Sequence, residues 1–308
     1  MRFGRDSTAD DVLAWANLGG TVAVVTGATG GIGFETARAL ASRGAHVVIA
    51  GRDVRKRQEA MELLIERVPH ASAEAVPLDL TDLDSVRAFA SSVVDAHPAI
   101  TLLVNNAGVM ATPFRRTVDG FELQMATNYL GHFLLTGLLA PALRAGAPSR
   151  IVNVTSSGPA LSALDFEDPN FHNRDYDKFT AYGQSKTANI LHVIELDRRL
   201  RRFGQRAFAA TPGVTSTALG RYMTRDDLKA FISRLPREVK RQSLRQKDPK
   251  QGAATIVWAA TSPELTEHNG SYIEDCAVIP VPSLVGDATA AQRLWRLSER
   301  LVGARFDL

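Results

Sequence analysis

The sequence predicts an α/β protein: a three-layer, doubly wound parallel sheet in a single domain. Two observations carry this prediction. Short apolar runs typical of strands alternate with helical stretches along the chain. The runs are also continuous in Val, Ile and Leu, as expected for strands buried on both faces between helices. At 308 residues, 45% hydrophobic and 22% charged, the chain has the composition of one large α/β domain.

The elements follow in a simple order. Residues 1–18 are predicted to form an extension helix packed on the domain, because Asp10 and Asp11 precede a short apolar stripe. Residues 19–308 form the domain itself. Its predicted strands are the run from Val22 to Val25 and the segments AHVVIA, SAEAVPLDL, ITLLVNNAG and RIVNVTSSG.

The first strand leads into a glycine-rich turn, TGATGGIG, and then into a helical pattern. Strand, glycine loop and helix in this order are typical of a phosphate site, because glycines let the backbone approach a pyrophosphate and the helix N-terminus holds its charge. Gly27, Gly31 and Gly33 are the predicted contacts. The spacing differs from the G-x-G-x-x-G pattern, so a purely structural turn is an alternative at this point.

Polar residues follow the other strands at the positions where they end. Ligands of such sheets bind at the carboxyl ends of the strands. The residues predicted to lie there are Arg52 after the second strand, Asp79 after the third, Asn105 to Gly108 after the fourth and Ser156 after the fifth.

The segment AYGQSK places Tyr182 four residues before Lys186, on one face of a helix. An unperturbed phenol has a pKa of about 10. A cation about 5 Å away stabilises the phenolate by roughly 3 kcal/mol at an effective dielectric of about 20. The pair therefore indicates an acid–base catalyst with a lowered tyrosine pKa. Taken alone, the four-residue spacing is also compatible with two ordinary residues on the surface of a helix.

Taken together, TGATGGIG, LDL, NNAG, Asn128 within a helix, a Ser closing the fifth strand and YGQSK resemble the short-chain dehydrogenase/reductase family over about residues 19–217. The later segments QGAATIVWAATSPEL and GSYIEDC resemble its retinol-dehydrogenase-like branch. The resemblance implies a Rossmann-type fold and hydride transfer.

The resemblance also implies roles for single residues. Tyr182 would be the general acid for a carbonyl oxygen, and Lys186 would lower the tyrosine pKa and hold the nicotinamide ribose. Ser156 would hydrogen-bond the substrate oxygen, with Ser157 as the alternative register. Asn128 would support a water molecule linked to the lysine.

The cofactor contacts implied by the resemblance lie in four segments. They are Gly27, Thr29, Gly30, Gly31, Ile32 and Gly33; Asp79 and Leu80; Asn105, Asn106, Ala107 and Gly108; and Pro212, Gly213, Val214 and Thr217, together with Tyr182 and Lys186.

The end of the second strand predicts NADP(H) rather than NAD(H). NAD enzymes place an acidic residue there to bind the ribose hydroxyls, whereas this chain has Gly51 followed by Arg52. A guanidinium can bind a 2′-phosphate through two N–H groups. Arg55 and Lys56 add positive charge, and Asp53 lies two places beyond the acidic position.

The predicted function is a reversible NADP(H)-dependent alcohol dehydrogenase or carbonyl reductase acting on a lipophilic substrate, with no metal. TGATGGIG would also fit the epimerase and dehydratase branch through the spacing of Gly30, but too little chain remains for that branch's usual substrate domain. A cofactor-sensing scaffold without turnover is the non-enzyme alternative. It has no need to keep Ser156, Tyr182 and Lys186 together.

A basic segment explains the net charge of +3. Residues 221–250 hold ten Lys or Arg against four Asp or Glu, so the rest of the chain is not basic. Leu228, Phe231, Ile232 and Leu235 share a helical face there. We expect residues 218–248 to form an amphipathic substrate lid; packing on the domain or a partner copy is equally compatible, and peripheral membrane contact is a weaker option. No nucleic-acid-reading motif accompanies the charge.

The remaining composition limits the setting. No run of about 18 apolar residues and no cleavable leader is present. Cys276 is the only cysteine, which excludes an intramolecular disulfide and predicts a reducing, cytoplasmic location. His132 is interpreted as a packed core residue. A homodimer or homotetramer through the helices of Asn128 and Tyr182 is expected from the resemblance, with Gly131 and Gly137 permitting close helix packing there or inside the chain.

Overall fold

A computed structural model of the chain describes residues 3–237, 240, 245–268 and 270–308. Its strands are β1 (Val22–Thr26), β2 (His46–Gly51), β3 (Ser72–Pro77), β4 (Leu102–Asn105), β5 (Arg150–Val154), β6 (Arg206–Thr211), β7 (Tyr272–Glu274) and β8 (Ala277–Ile279). They form one eight-stranded sheet in the order β3-β2-β1-β4-β5-β6-β7-β8. Neighbouring strands are parallel except β7 and β8, which are antiparallel.

The helices connect these strands. They are α1 (Ala9–Val12), α2 (Gly31–Ala41), α3 (Val54–Arg67), α4 (Leu83–Ala96), α5 (Leu123–Met125), α6 (Gly131–Ala145), α7 (Lys178–Leu200), α8 (Arg225–Arg234), α9 (Pro249–Thr261) and α10 (Ala288–Leu301). A short π-helix, Ala126–Leu130, joins α5 to α6. No helix within the described ranges is long and apolar enough to cross a membrane.

Side chains of each central strand alternate between two apolar cores, one on each face of the sheet. In β1, Val24 belongs to the core shared with α4, α6, α7 and α10. Its neighbours Ala23 and Val25 belong to the core shared with α1, α2, α3 and α9. The predicted three-layer, doubly wound α/β fold is therefore confirmed.

The strand order reverses between β1 and β4. From β1 the chain builds outward to β2 and β3, and from β4 it builds the other way to β5 and β6. The helices that follow β1 and β4, α2 and α6, therefore lie on opposite faces of the sheet, which leaves a crevice at the carboxyl ends of these strands.

The extension before β1 differs from the predicted helix over residues 1–18. Among its described residues only Ala9–Val12 are helical, a single turn capped by Thr8 and Asp11. Ala9 and Leu13 are buried, whereas the Trp15 side chain is 92% exposed. One turn suffices because α1 rests on α2 and α9, so packing rather than helix length holds the segment.

The third strand is shorter than the predicted run SAEAVPLDL. β3 ends at Pro77, which pairs with Gly51 of β2. Proline has no N–H to continue the ladder. The LDL segment therefore lies beyond the strand, which carries Asp79 and Leu80 toward the crevice edge of the sheet.

The helices expected to form an oligomer interface are covered by this chain's own C-terminal segment. Helix α10 packs along α7, and the Trp295 ring meets Phe133 of α6 edge-on, with 4.9 Å between centroids. The Phe306 ring lies directly against Gly137, while Gly131 lies against Leu80. Both glycines thus serve packing inside this chain, and the expected homodimer or homotetramer stays a prediction.

Candidate active site

The glycine loop after β1 is shaped by contact with the loop after β4. Gly27 has a φ of 65°, which favours glycine. A Cβ at Gly27 would also lie only 2.9 Å from the Cα of Ala107. Two of the predicted cofactor segments, TGATGGIG and NNAG, are therefore packed together at the switch point.

The Thr26 hydroxyl joins these two loops. Its oxygen accepts the N–H groups of Asn106 and Ala107, both at 2.9 Å. The Asn106 amide donates to the Thr26 carbonyl at 2.8 Å. With both hydroxyl lone pairs used, the Thr26 hydrogen is directed to the Nε2 of His132 at 2.8 Å, which is closer than the Val104 carbonyl at 3.4 Å.

That arrangement defines the state of His132. Its Nε2 accepts from Thr26, so the proton lies on Nδ1, which is 3.2 Å from the carbonyl oxygen of Asn128. Burial lowers the pKa of His132 to about 3, so the ring is neutral. The residue is buried as predicted, and it also links the glycine loop to the helix of Asn128.

Asn105 differs from its neighbours in NNAG. Its side-chain amide donates to Thr136 at 3.0 Å and to Asn153 at 2.8 Å, inside the sheet. The side chain is buried among these groups and does not line the crevice, which corrects the expectation from the NNAG segment. The correction follows from the alternation of side chains along β4.

Helix α7 carries the Tyr182 and Lys186 pair, and Asp177 caps the N-terminus of this helix. The Tyr182 hydroxyl donates to Ser156 Oγ at 2.9 Å. Lys186 Nζ donates to the Val154 carbonyl at 2.9 Å and lies 5.9 Å from the Tyr182 ring centroid. Ser156, not Ser157, is the serine brought against the tyrosine.

The electrostatics of this pair differ from the sequence expectation. Burial raises the pKa of Tyr182 to about 12, against the smaller lowering by its bond with Ser156. Burial likewise lowers the pKa of Lys186 to about 8. Desolvation disfavours the charged form of both groups, so it outweighs the predicted lowering of the tyrosine pKa by the lysine.

Gly158 is a site residue that the sequence analysis missed. Its N–H donates to Ser156 Oγ at 2.9 Å. A Cβ there would lie 2.9 Å from that oxygen, 3.0 Å from the Tyr182 ring and 3.2 Å from the Lys186 Cβ. The absence of a side chain at Gly158 lets Ser156, Tyr182 and Lys186 close around this position. No spacing in the sequence indicates this contact.

Asn128 lies in the π-helix and holds the loop after β4. Its Oδ1 accepts the Val109 N–H at 2.8 Å, and its Nδ2 donates to the Val109 carbonyl at 3.0 Å and to Ser185 at 2.9 Å. A Cβ on Gly108 would lie 3.2 Å from Asn128 Oδ1 and 3.7 Å from Lys186 Nζ. The Asn128 amide therefore positions Gly108 beside the lysine.

At the end of β2, Thr29 of the glycine loop lies over Gly51. A Cβ on Gly51 would be 2.7 Å from the Thr29 methyl group, so an acidic side chain does not fit without moving Thr29. Asp53 caps α3, because its carboxylate accepts the Lys56 N–H at 3.0 Å. This capping role explains an acidic residue at position 53 without a contact to the ribose. Arg52 is exposed beside this turn.

Of the cations after Arg52, Arg57 is built into the turn. Its guanidinium donates to the Gly51 carbonyl at 2.8 Å and to the Arg52 carbonyl at 3.1 Å. Arg55, named from the sequence, instead pairs with Glu59 on the exposed face of α3 at 3.7 Å. The sequence analysis missed Arg57 because its helical position alone does not indicate contact with the turn.

Asp79 and Leu80 follow β3 as predicted. One carboxylate oxygen of Asp79 accepts the Thr81 N–H at 2.9 Å and the Thr81 hydroxyl at 2.7 Å, which leaves its second oxygen available. Leu80 is buried against Gly131 at the start of α6. Leu80 is thus a packing residue that fixes the turn carrying Asp79.

The loop after β6 closes the crevice from the other side. Thr217 caps a short 3₁₀ turn, and its methyl group would lie 3.5 Å from a Cβ on Gly31. Gly252 of α9 packs on Ile32 and Thr215, so this helix holds both loops. The predicted segment Pro212–Thr217 therefore faces the glycine loop.

Lys247 supports that loop and was also missed. Its side chain is 3% exposed and its Nζ pairs with Asp275 at 2.6 Å. Its backbone N–H donates to Val214 at 2.9 Å, and its carbonyl accepts the Ser216 N–H at 3.0 Å. In the sequence it belongs to a basic run, which gives no sign that this one lysine is buried.

The crevice fits a dinucleotide. Gly31 begins α2, so its first N–H groups face the loop. A Cβ on Gly30 would meet no atom of the described chain within 4 Å, although Gly27 and Gly33 are tightly packed. The glycine loop thus has one crowded side toward the protein and one open side toward the crevice.

Comparison with known proteins agrees with this site. The short chain dehydrogenase family model matches residues 21–228. Human retinol dehydrogenase 13 is 39% identical over 94% of this chain and 86% of its own length. The chloroplastic short-chain dehydrogenase TIC 32 A of Brassica napus is 36% identical over 97% and 94%.

A solved structure extends the comparison to the fold. An uncharacterised protein from Mycobacterium Paratuberculosis matches with a TM-score of 0.77 at 36% identity, covering 98% of this chain and 100% of that chain. The chain therefore belongs to the short-chain dehydrogenase/reductase family of oxidoreductases. Within that family it falls in the retinol-dehydrogenase-like branch.

The two sides of the glycine loop give a test. We expect Gly33→Ala to lower the free energy of unfolding by about 1–3 kcal/mol, because its Cβ would overlap Asn106 and the Gly27 carbonyl. Gly30→Ala should keep the thermal midpoint but weaken dinucleotide binding, measured by calorimetric titration. Equal thermal losses in both variants, or undiminished binding to Gly30→Ala, would contradict this division of the loop.

Proposed function

We propose that this protein is a reversible NADP(H)-dependent oxidoreductase that interconverts a lipophilic alcohol with its ketone or aldehyde. The observation that carries the proposal is the 2.9 Å hydrogen bond from Tyr182 to Ser156, with Lys186 on the same helix face. Bound nicotinamide would supply or accept the hydride at the substrate carbon. The protein's own residues then have to handle one proton at the substrate oxygen.

Ser156 has the hydrogen-bonding capacity for that oxygen. Its Oγ accepts from the Tyr182 hydroxyl and from the Gly158 N–H, both at 2.9 Å. A serine hydroxyl has two acceptor sites and one hydrogen. The hydrogen is therefore available to donate to a carbonyl oxygen that approaches from the crevice, which would orient the oxygen beside Tyr182.

Tyr182 would act as the general acid in reduction and as the general base in oxidation. A tyrosine hydroxyl is protonated at neutral pH, as a general acid requires, and burial favours this neutral form. Lys186 would assist the reverse direction, because a cation on the same helix face favours the phenolate form. The lysine's bond to Val154 uses one of its three N–H donors, leaving two for a ribose and the tyrosine side.

Two other functions remain as competing hypotheses. A cofactor-sensing scaffold would bind NADPH without turnover, and a sugar-nucleotide epimerase or dehydratase would use the same fold. The buried contact of Ser156, Tyr182 and Lys186 around Gly158 favours catalysis over a scaffold, because an open binding site needs no such contact.

The role of Tyr182 can be tested by Tyr182→Phe. We expect kcat for ketone and aldehyde reduction to fall by about 10²–10⁴-fold, the range of general acid catalysis, with NADPH binding retained. Tyr129→Phe is the matched control, because Tyr129 is also buried and bonded to a serine, Ser298, at 2.6 Å. Progress curves at 340 nm across a panel of lipophilic carbonyls give the rates.

Two outcomes would count against this role. Full activity of Tyr182→Phe would remove the tyrosine from the mechanism. Tight NADPH binding by the unmodified protein without turnover of any carbonyl in the panel would favour the sensor.

The preference for NADP(H) is supported by the end of β2. An acidic side chain at position 51 would have to displace the Thr29 methyl group, and Arg52 follows directly. The pKa of the nearby Tyr222 hydroxyl is lowered, first by a hydrogen bond from Arg221 and further by the charges of Arg52 and Arg115. The positive charge that acts on this hydroxyl would also favour a bound 2′-phosphate.

The coenzyme prediction uses Arg52→Ala. We expect NADPH affinity to fall by about 10–100-fold while NADH affinity stays unchanged, because only NADPH loses charge-assisted hydrogen bonds. Arg55→Ala is the control, since Arg55 pairs with Glu59. Calorimetric Kd values for both coenzymes give the comparison, and NADPH affinity that survives in Arg52→Ala would refute the assignment.

The lipophilic substrate is supported by α8, within the proposed lid of residues 218–248. Ala230 and Phe231 of α8, with Leu219 and Met223, pack on an apolar cluster that includes Met110 and Tyr182. Two ion pairs hold α8 to the start of α7: Lys178 with Asp227 and Arg234 with Asp177, both at 2.6 Å. Residues 238–239 and 241–244 of the predicted lid lie outside the described residues.

The predicted apolar stripe of α8 needs one correction. Phe231 and the buried Leu235 face the protein, with Ile232 half-buried, but Leu228 is 46% exposed. The stripe is narrower than its spacing suggests because only one edge of the helix rests on the domain.

This difference gives a matched test of the lid. We expect Phe231→Ala to raise KM several-fold for bulky apolar ketones, since it removes apolar surface beside Tyr182. Leu228→Ala, on the exposed side of the same helix, should leave KM unchanged. If both variants behaved alike with bulky and small substrates, the lid would have no role in substrate binding.

The cellular location and the class of binding partner are part of the same proposal. A reducing, cytoplasmic location is supported by the single cysteine, Cys276, which is buried. One relative, TIC 32 A of Brassica napus, is chloroplastic, so cell fractionation is the measurement that tests the cytoplasmic location. The lipophilic substrate, rather than a nucleic acid, is the partner that the apolar cluster around Tyr182 favours.

A further inference from the structure

Three metal-ligating side chains meet at the end of the sheet opposite the crevice. His46 is the first residue of β2 and pairs in register with Ser72, the first residue of β3. Glu74 follows on β3, and His97 is the C-cap residue directly after α4. Strands β2 and β3 are parallel, so this cluster lies at their amino ends, while the glycine loop and Arg52 lie at the carboxyl ends.

The distances within the cluster suit a small cation. His97 Nε2 lies 2.6 Å from Glu74 Oε1, and His46 Nε2 lies 3.8 Å from the same oxygen. One ligand atom from each residue falls within 4.8 Å of the others. Tetrahedral zinc with bonds of about 2.0–2.1 Å places its ligand atoms roughly 3.3 Å apart, between the observed values.

The state of His46 points to a missing positive partner. Its Nδ1 lies 2.8 Å from Ser72 Oγ, whereas its Nε2 is buried without a hydrogen-bond partner among the described residues. When Nδ1 donates to Ser72, Nε2 presents a lone pair toward Glu74 and His97. Metal-binding histidines are oriented in this way, by a hydrogen bond from their other ring nitrogen.

A simple ion pair accounts for only part of the cluster. The bond between Glu74 and His97 satisfies one histidine, but His46 at 3.8 Å is too far from the carboxylate for a hydrogen bond. The two imidazole rings nevertheless lie together, with 4.8 Å between centroids. A divalent cation would occupy the position that both rings and the carboxylate face.

We propose that His46, Glu74 and His97 form a binding site for a zinc-like divalent cation. Two imidazoles and one carboxylate select borderline transition metals over Mg²⁺, which prefers oxygen ligands. The three side chains are 27%, 38% and 18% exposed, so an ion can enter from solvent and keep a water ligand. The ion would tie the edge strand β3 to β2 and α4, and it would not take part in hydride transfer.

The site was absent from the sequence analysis for a physical reason. The predicted function requires no metal, and the three ligands stand 23 to 51 positions apart, unlike the short spacings of sequence-readable zinc motifs. Only the pairing of β2 with β3 and the return of α4 bring them together.

The test is calorimetric titration of tag-free, chelator-treated protein with ZnCl₂, beside thermal unfolding with and without the ion. We expect one equivalent of Zn²⁺ to bind and to raise the thermal midpoint, because the ion binds the folded chain. Both effects should disappear in Glu74→Gln and His97→Gln. Ser72→Ala, which removes only the orienting bond, should weaken binding about tenfold.

Controls separate this site from other histidines and from misfolding. His268→Gln, an exposed histidine elsewhere, should bind Zn²⁺ as the unmodified protein does. Replacing Zn²⁺ with Co²⁺ should give visible ligand-field bands that Glu74→Gln and His97→Gln lack while their circular dichroism is unchanged. Zinc binding that survives in those two variants, that is lost in His268→Gln, or that is absent altogether would overturn the proposal.

Discussion

The site depends on one interaction, the Thr26 hydroxyl at the point where the strand order reverses. This single group accepts two backbone N–H groups of the NNAG loop and donates to His132. His132 in turn contacts the carbonyl of Asn128, whose side chain holds Val109. Because these groups are buried, moving one of them would leave a polar group unpaired at a cost of about 1–3 kcal/mol.

Burial is the second constraint, and it acts on chemistry as well as stability. The same packing that closes Tyr182 and Lys186 around Gly158 also raises the tyrosine pKa and lowers the lysine pKa. Burial therefore favours the neutral form of both groups. Charges brought by a bound coenzyme would act strongly there, because a buried site screens them less than water does.

The two ends of the sheet carry different groups. At the carboxyl ends the loops leave a crevice, and ion pairs join α8 to the start of α7. At the amino ends, the cluster of His46, Glu74 and His97 lies where the edge strand β3 has a neighbour on one side only. The length of the strands thus separates the proposed site of hydride transfer from the proposed cation site.

Features that depend on near neighbours could be predicted from the residues alone. Apolar runs predicted the sheet and its layers, the glycine spacing predicted the loop after β1, and AYGQSK placed Tyr182 and Lys186 on one face of a helix. Features that depend on distant residues required the tertiary structure. It showed the burial that reverses the tyrosine pKa shift, the buried Lys247 paired with Asp275, the covering of α6 and α7 by α10, and the inward-facing amide of Asn105. Such contacts arise from strand pairing and helix packing, and no local pattern encodes which distant residues will meet.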